Sequence, residues 1–405
     1  MKKTVLREYA KLIVRTGVNV QKGQTVVVIA DLDQPEFVQM VVEEAYKAKE
    51  VIVQWTYQPM TKLHYRYQTV KTLGTVKEWE KARQEYYCDV LPARIYLMSE
   101  DPDGLKGVNM EKMTKAQQMI YPIMKPYRDR RENKEQWCIA AVPGKAWAKK
   151  VFPGLRTSLA MEKLWEAILS CSRVNEDPIQ AWNEHNADLK SRCDYLNSLH
   201  IRRLHYTADN GTDLNVGMIP QGEWKGGGDT SLQGIYFNPN IPTEECFISP
   251  MKGQAEGIVY STKPLSYQGQ LIDNFWIKFE NGKAVDSGAE QNAELLKTML
   301  TMDEGAAYLG ECALVPQRSP ICESGILFYN TLFDENAACH LAMGMGFADT
   351  IQDFQNKTLE ECRQLGINDS MIHEDFMIGC DSMNIDAICE DGSVVPVFRN
   401  GNWAF

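Results

Sequence analysis

The sequence predicts two domains of different class. Residues 1–190 read as an α/β domain with a mainly parallel sheet, and residues 191–405 as an α+β domain with a largely antiparallel, barrel-like sheet. Two observations carry this. In the first half, β-branched apolar runs alternate with helix-period segments, the pattern of βαβ units. In the second half, hairpin-type turn signals recur between alternating runs.

Taken in order, Thr25–Ala30 (TVVVIA) is a buried strand ending at Asp31, and Pro35–Lys49 follows with helical periodicity and a proline in its opening turn. Val51–Tyr57 is the second strand, a charged helix spans Glu78–Val90, and Ala93–Met98 is the third strand. A polar helix runs through Arg128–Glu135 into a fourth strand at Trp137–Val142, and helices interrupted by Pro178 cover Leu159–Ala187. No GxGxxG or P-loop pattern accompanies the first strand, so nothing supports nucleotide binding. Beyond Ile201, the turn signals are Asp209-Asn210-Gly211, Glu280-Asn281-Gly282, Glu390-Asp391-Gly392 and Arg399-Asn400-Gly401. Helices are expected at Ala289–Asp303 and Asp334–Met343. The Gly226–Gly228 triplet reads as a loop.

With 43 basic against 54 acidic residues, the net charge of −11 disfavours an electrostatic nucleic-acid or anionic-membrane binder. No apolar segment approaches the roughly 20 residues that span a bilayer. The basic start, Met1 to Leu12, continues as an amphipathic helix without the apolar run of a signal peptide. The eleven cysteines lack CxxC spacing and sit mostly in apolar segments, as reduced thiols do. Together these features predict a soluble, cytoplasmic protein.

The residues with chemistry concentrate near the C-terminus. In Met371–Ile378, His373 and Asp375 lie two apart inside a buried strand, so both point to one face. A buried carboxylate needs a partner, which is either the histidine alone or a metal ion. His340 closes the segment Asp334-Glu335-Asn336-Ala337-Ala338-Cys339-His340, where Asp334 suits a helix N-cap and Glu335 a first turn. On that helix, Glu335 and His340 would occupy different faces. Glu311 opens an apolar run, and Glu244 and Glu245 precede another; taken singly, such acids are usually solvated.

In combination the segments are specific. Trp224-Lys225-Gly226-Gly227, Asn240-Ile241-Pro242-Thr243-Glu244-Glu245, Gly310-Glu311, Phe333–His340 and His373–Gly379, in this order and spacing, resemble the aminopeptidase T family of metallopeptidases. The resemblance extends over essentially the whole chain. It implies removal of N-terminal residues from peptides by water activated at two divalent metals, Zn²⁺, Co²⁺ or Mn²⁺, with Mg²⁺ also admitted. Position by position, it implies metal-site roles for Glu245, Glu311, His340, His373 and Asp375, with Glu335 a further ligand or supporting residue. Glu311 would bridge the metals or act as general base. The resemblance also implies a homodimer and a shielding role for residues 1–190. One position departs: where the family commonly has a tyrosine seven residues after the ligand histidine, this chain has Phe347, and Tyr329 is a candidate substitute. The rival chemistry for a His/His/carboxylate site is a non-haem Fe²⁺ ring-cleaving dioxygenase on the same scaffold.

Overall fold

A computed structural model describes residues 1–48 and 50–405. It divides the chain into two compact units. One comprises Met1–His185, Gly228–Thr243 and Gln268–Gln270; the other comprises Asn186–Gly227, Glu244–Tyr267 and Leu271–Phe405.

The first unit is built on strands β1 (Thr25–Asp31), β2 (Glu50–Thr56), β3 (Ala93–Met98) and β4 (Trp137–Ala141). All pair in parallel, in the order β4-β3-β1-β2, and the short strand Asn240–Ile241 adds beside β4. β1 is interior, flanked by β3 and β2, which is why it reads as an unbroken apolar run. The intervening helices include Pro35–Ala45, Glu78–Val90 and Met110–Arg131. The expected helix over Pro35–Lys49 is realised to Ala45, and Lys49 lies outside the described residues. Helices Thr157–Cys171 and Pro178–Ser198 follow, with Pro178 opening the second as a first-turn proline can.

The second unit holds two antiparallel sheets. The larger runs, in spatial order, through Leu265–Tyr267, Gln270–Glu280, Pro250–Tyr260, Asp213–Met218, Ile201–Thr207, Asn384–Cys389, Val394–Arg399 and Asn402–Trp403. All four Gly-containing turn signals fall between neighbouring strands of this sheet. The smaller sheet contains β5 (Cys246–Ile248), β6 (Leu309–Leu314), β7 (His340–Gly344) and β8 (His373–Met377), with Lys225–Gly226 at one edge.

Three expected helices differ here. The helix expected at Ala289–Asp303 is confined to Ala293–Leu300, because Lys283–Gln291 is a strand paired with Gln270–Glu280, and the one expected through Arg128–Glu135 ends at Arg131. Asp334–Met343 is not a helix: a short turn at Thr331–Asp334 passes through a 3₁₀ turn at Glu335–Ala337, and the chain becomes extended at Ala338 (φ −160°, ψ 158°). His340 therefore opens a strand. The cause is local competition for backbone groups. The Asn336 amide donates back to Leu332 O at 2.9 Å and to Glu335 Oε1 at 3.3 Å, while its oxygen accepts from Glu244 N at 2.7 Å. Asp334 is no N-cap either; its carboxylate accepts from the backbone N–H of Phe328 (2.8 Å) and Asn330 (3.0 Å).

Candidate metal centre

The small sheet of the second unit places four of the six sequence-selected residues by register. Directly opposed residues of antiparallel strands share a face. One cross-strand row reads Glu311, Ala342, Asp375, and the next reads Phe247, Ala313, His340, Met377. His373 is opposed by Gly344. The residues between the polar groups, Ala313, Ala342 and Gly344, are small, which leaves space above the sheet among the carboxylates and imidazoles. Glu245, immediately before β5, completes the set. The reverse face carries Cys246, Ile248, Cys312, Leu314, Leu341 and Phe376.

Glu311 reaches the polar face through an irregularity. β6 pairs Leu309 with Met343 but Glu311 with Ala342, so Gly310 is an extra residue. Without that bulge, Leu309 and Glu311 would share a face; the bulge re-aims the glutamate. Only glycine fits there, since a Cβ on Gly310 would lie 2.2 Å from Met345 O.

The resulting geometry is compact. His340 Nε2 lies 3.2 Å from Glu245 Oε2, and His373 Nε2 lies 3.0 Å from Glu311 Oε2 and 3.3 Å from Asp375 Oδ1. Both histidines turn their other nitrogen to backbone, Nδ1 of His340 to Ala338 O (3.2 Å) and Nδ1 of His373 to Met345 O (2.7 Å). Those bonds favour the tautomer that leaves Nε2 free to ligate. Ligand atoms of Glu245, Glu311 and His340 all lie within 4.8 Å of one another, and so do those of Glu311, His373 and Asp375. Glu311 belongs to both groups.

Electrostatics mark the cluster as incomplete without cations. Burial, with repulsion from Asp375 and Glu245, pushes Glu311 up to about 6 despite the hydrogen bond from His373. Glu335 is raised well above the usual range by burial and by Asp375 and Glu245. Burial opposes charge on the imidazoles, yet Glu245 carries His340 up to about 10, and Asp375 with Glu311 carries His373 well above its ordinary value. Asp375 is lowered: burial works against its charge, and His373 more than compensates. Its Oδ1 is nonetheless buried without a well-formed hydrogen bond. The raised values all run in the direction that added positive charge would reverse for the carboxyls and relieve for the imidazoles. The mixed imidazole and carboxylate donors fit divalent Zn, Co or Mn.

Glu335 falls outside both three-residue groups. It is buried, hydrogen-bonded to Asp375 and held by Asn336. Sequence reasoning missed Asn336, although its place between Glu335 and the apolar strand is the kind of setting in which a buried amide fixes backbone. It also missed Phe247, whose spacing of two from Glu245 was a usable signal. Phe347, at the position where a tyrosine was expected, packs its ring 4.7 Å from that of His373.

Comparisons with known proteins give the family. Residues 2–403 match the family described as thermophilic metalloprotease (M29). The chain is 44% identical to aminopeptidase AmpS of Bacillus subtilis, over 99% of this chain and 98% of that protein. It is 37% identical to aminopeptidase T of Thermus aquaticus, over 98% of each. Among solved structures, wild-type AmpT from Thermus thermophilus superposes with a TM-score of 0.89 at 35% identity, covering all of both chains. A 2,5-dihydroxypyridine dioxygenase from Pseudomonas putida, 12% identical with a TM-score of 0.53 over 100% of this chain and 98% of that one, shares the fold alone. On the length and closeness of these matches, the chain belongs to the M29 family of metalloproteases.

Proposed function

We propose that the protein is a two-metal aminopeptidase that hydrolyses the first peptide bond of peptides with a free N-terminus. The observation that carries this is the position of Glu311, common to two adjacent three-residue groups. Glu245 and His340 would hold one divalent ion, His373 and Asp375 the other, and Glu311 would serve both. Glu335 lies behind them, orienting Asp375 or adding a weaker bond. When bound, such a pair lowers the pKa of a water and polarises the scissile carbonyl.

The chain's own residues do the rest. Glu311 would either bridge the two ions or take a proton at its carboxylate from the attacking water and return it to the leaving amine. His340 and His373 present Nε2 in fixed orientations set by Ala338 O and Met345 O. The carboxylates supply the negative field that favours a substrate's α-ammonium group. Four relatives of 36–42% identity carry aminopeptidase names besides AmpS, which supports the same activity here. A homodimer in the cytoplasm completes the proposal, and sedimentation velocity reads the oligomeric state.

The direct test is metal analysis together with release of free amino acid from leucine, alanine, arginine and tryptophan amides, with each metal added back to chelated protein. Two Zn, Co or Mn per chain with amino-acid release is expected. One oxygen-sensitive iron and no release under any metal would instead favour the ring-cleaving dioxygenase.

A further inference from the structure

We infer that Phe247 and Phe347 form the apolar wall that receives the substrate's first side chain, so that the enzyme prefers apolar and aromatic N-terminal residues. This rests on the aminopeptidase reading of the same site. Three observations on the second unit place the wall.

Phe247 belongs to the ligand-bearing face by register, opposed to Ala313 in the row that contains His340. Alternation along the strand also puts it on the side of Glu245, two residues earlier. Phe347 meets Phe247 edge-on, with ring centroids 5.8 Å apart at 76°, and its other side lies 4.7 Å from the His373 ring at 45°. The two phenyl rings and the imidazole thus form a continuous aromatic line beside the carboxylates. Both phenylalanines are half-buried, so neither is sealed inside the core as the aliphatic residues of the reverse face are.

The wall is fixed in place. Phe347 N donates to Ser249 Oγ at 2.8 Å, and Thr350 Oγ1 donates to Phe347 O at 2.6 Å. Ser249 is itself 1% exposed. With both backbone groups anchored, the Phe347 ring is positioned before any substrate arrives, which lowers the ordering cost of binding. A rigid apolar surface beside an amine-binding centre discriminates by side-chain size and polarity, and even one methylene more or less in such a pocket changes selectivity by about 10-fold or more.

The test compares wild type with F247A, F347A and the conservative F247L, all metal-loaded, on phenylalanine, leucine and alanine p-nitroanilides. The quantity read is the ratio of kcat/KM for the phenylalanine over the alanine substrate. Each alanine variant should lower that ratio by about 10-fold, with F247L retaining most of it. Independently of turnover, calorimetry with L-phenylalanine and L-alanine as product ligands should show the same loss of preference. Metal content and thermal melting confirm that the variants are folded and loaded. An unchanged ratio, or a fall by one common factor for every substrate with unchanged relative product affinities, would overturn the wall. Absence of amino-acid release by wild type from any substrate would refute the aminopeptidase reading instead, and that outcome is separate.

Discussion

Loading the centre with divalent ions should expel protons, and the number is set by the structure. His340 can ligate through Nε2 only as a neutral imidazole, yet Glu245 at 3.2 Å helps hold its proton up to about 10. At pH 7 that is three units, so surrendering this proton costs about 4 kcal/mol at roughly 1.36 kcal/mol per unit. His373, also raised well above its ordinary value, must give up a second proton. Glu335, kept neutral in the metal-free cluster, would release a third if it ionises beside the ions. At least two protons should therefore leave near pH 7. For two, overall affinity should rise about 100-fold between pH 7 and pH 8, because each proton contributes about tenfold per unit. Calorimetric titration of chelated protein with Zn²⁺, in buffers of different ionisation enthalpy, counts the protons directly. H340Q should remove about one from the count. Release of fewer than one proton by the wild type, or an affinity flat across this pH range, would refute the description of the cluster as a proton-held cation site.

The other expectations are single substitutions and one pH series. E311Q keeps the shape but removes the shared charge and the base, and peptidase activity should fall about 10³-fold or more; normal turnover with normal metal content would exclude both roles. N336A leaves Glu244 N and Leu332 O without their partner and should cost about 1–3 kcal/mol in denaturant unfolding; a change below a few tenths would show that the amide is dispensable. G344A forces a Cβ to within 2.1 Å of Ile372 O at a residue with φ +103°, so melting should fall and His373 should lose its place; wild-type stability and metal content would contradict the close approach. In chelator, His340 binds its proton more tightly folded than unfolded, so stability should fall as pH rises from 6.5 toward about 10. A melting temperature that climbs over this window would show the opposite linkage.

Much of this architecture is readable from local pattern. Ala93–Met98 and Glu78–Val90 occur with the expected bounds because β-branched runs and helix periodicity are properties of the segment itself. His373 and Asp375 share a face because strand alternation guarantees it. The segment from Asp334 to Met343 defeated the same logic. Its Asn-Ala-Ala run suits a helix, but Asn336 ties its amide to Leu332 O in the local turn and to Glu244 N on a distant segment, and His340–Gly344 is paired on both sides in a sheet. Sheet pairing and a buried amide outweigh a weak propensity. The role of Gly310 was equally invisible: a bulge is defined by the partner strand, which comes from residues some thirty positions away in sequence. The grouping of Glu245 with His340 likewise depends on strands brought together from distant parts of the chain.

The two faces of the small sheet hold opposite metal chemistry at neighbouring positions. Each of three oxygen- or nitrogen-bearing residues adjoins a thiol in sequence: Glu245 with Cys246, Glu311 with Cys312, His340 with Cys339. Cys246, Cys312 and Cys339 are buried and free. A strand that slipped by one residue during folding would exchange faces throughout, presenting sulfur where the native register presents carboxylate or imidazole. Hard or borderline ions such as Mn²⁺ and Co²⁺ reward the native alignment, and thiophilic ions reward the slipped one. The register of this sheet therefore decides the donor chemistry of the cluster as well as its position, and a one-residue change of alignment would alter both at once.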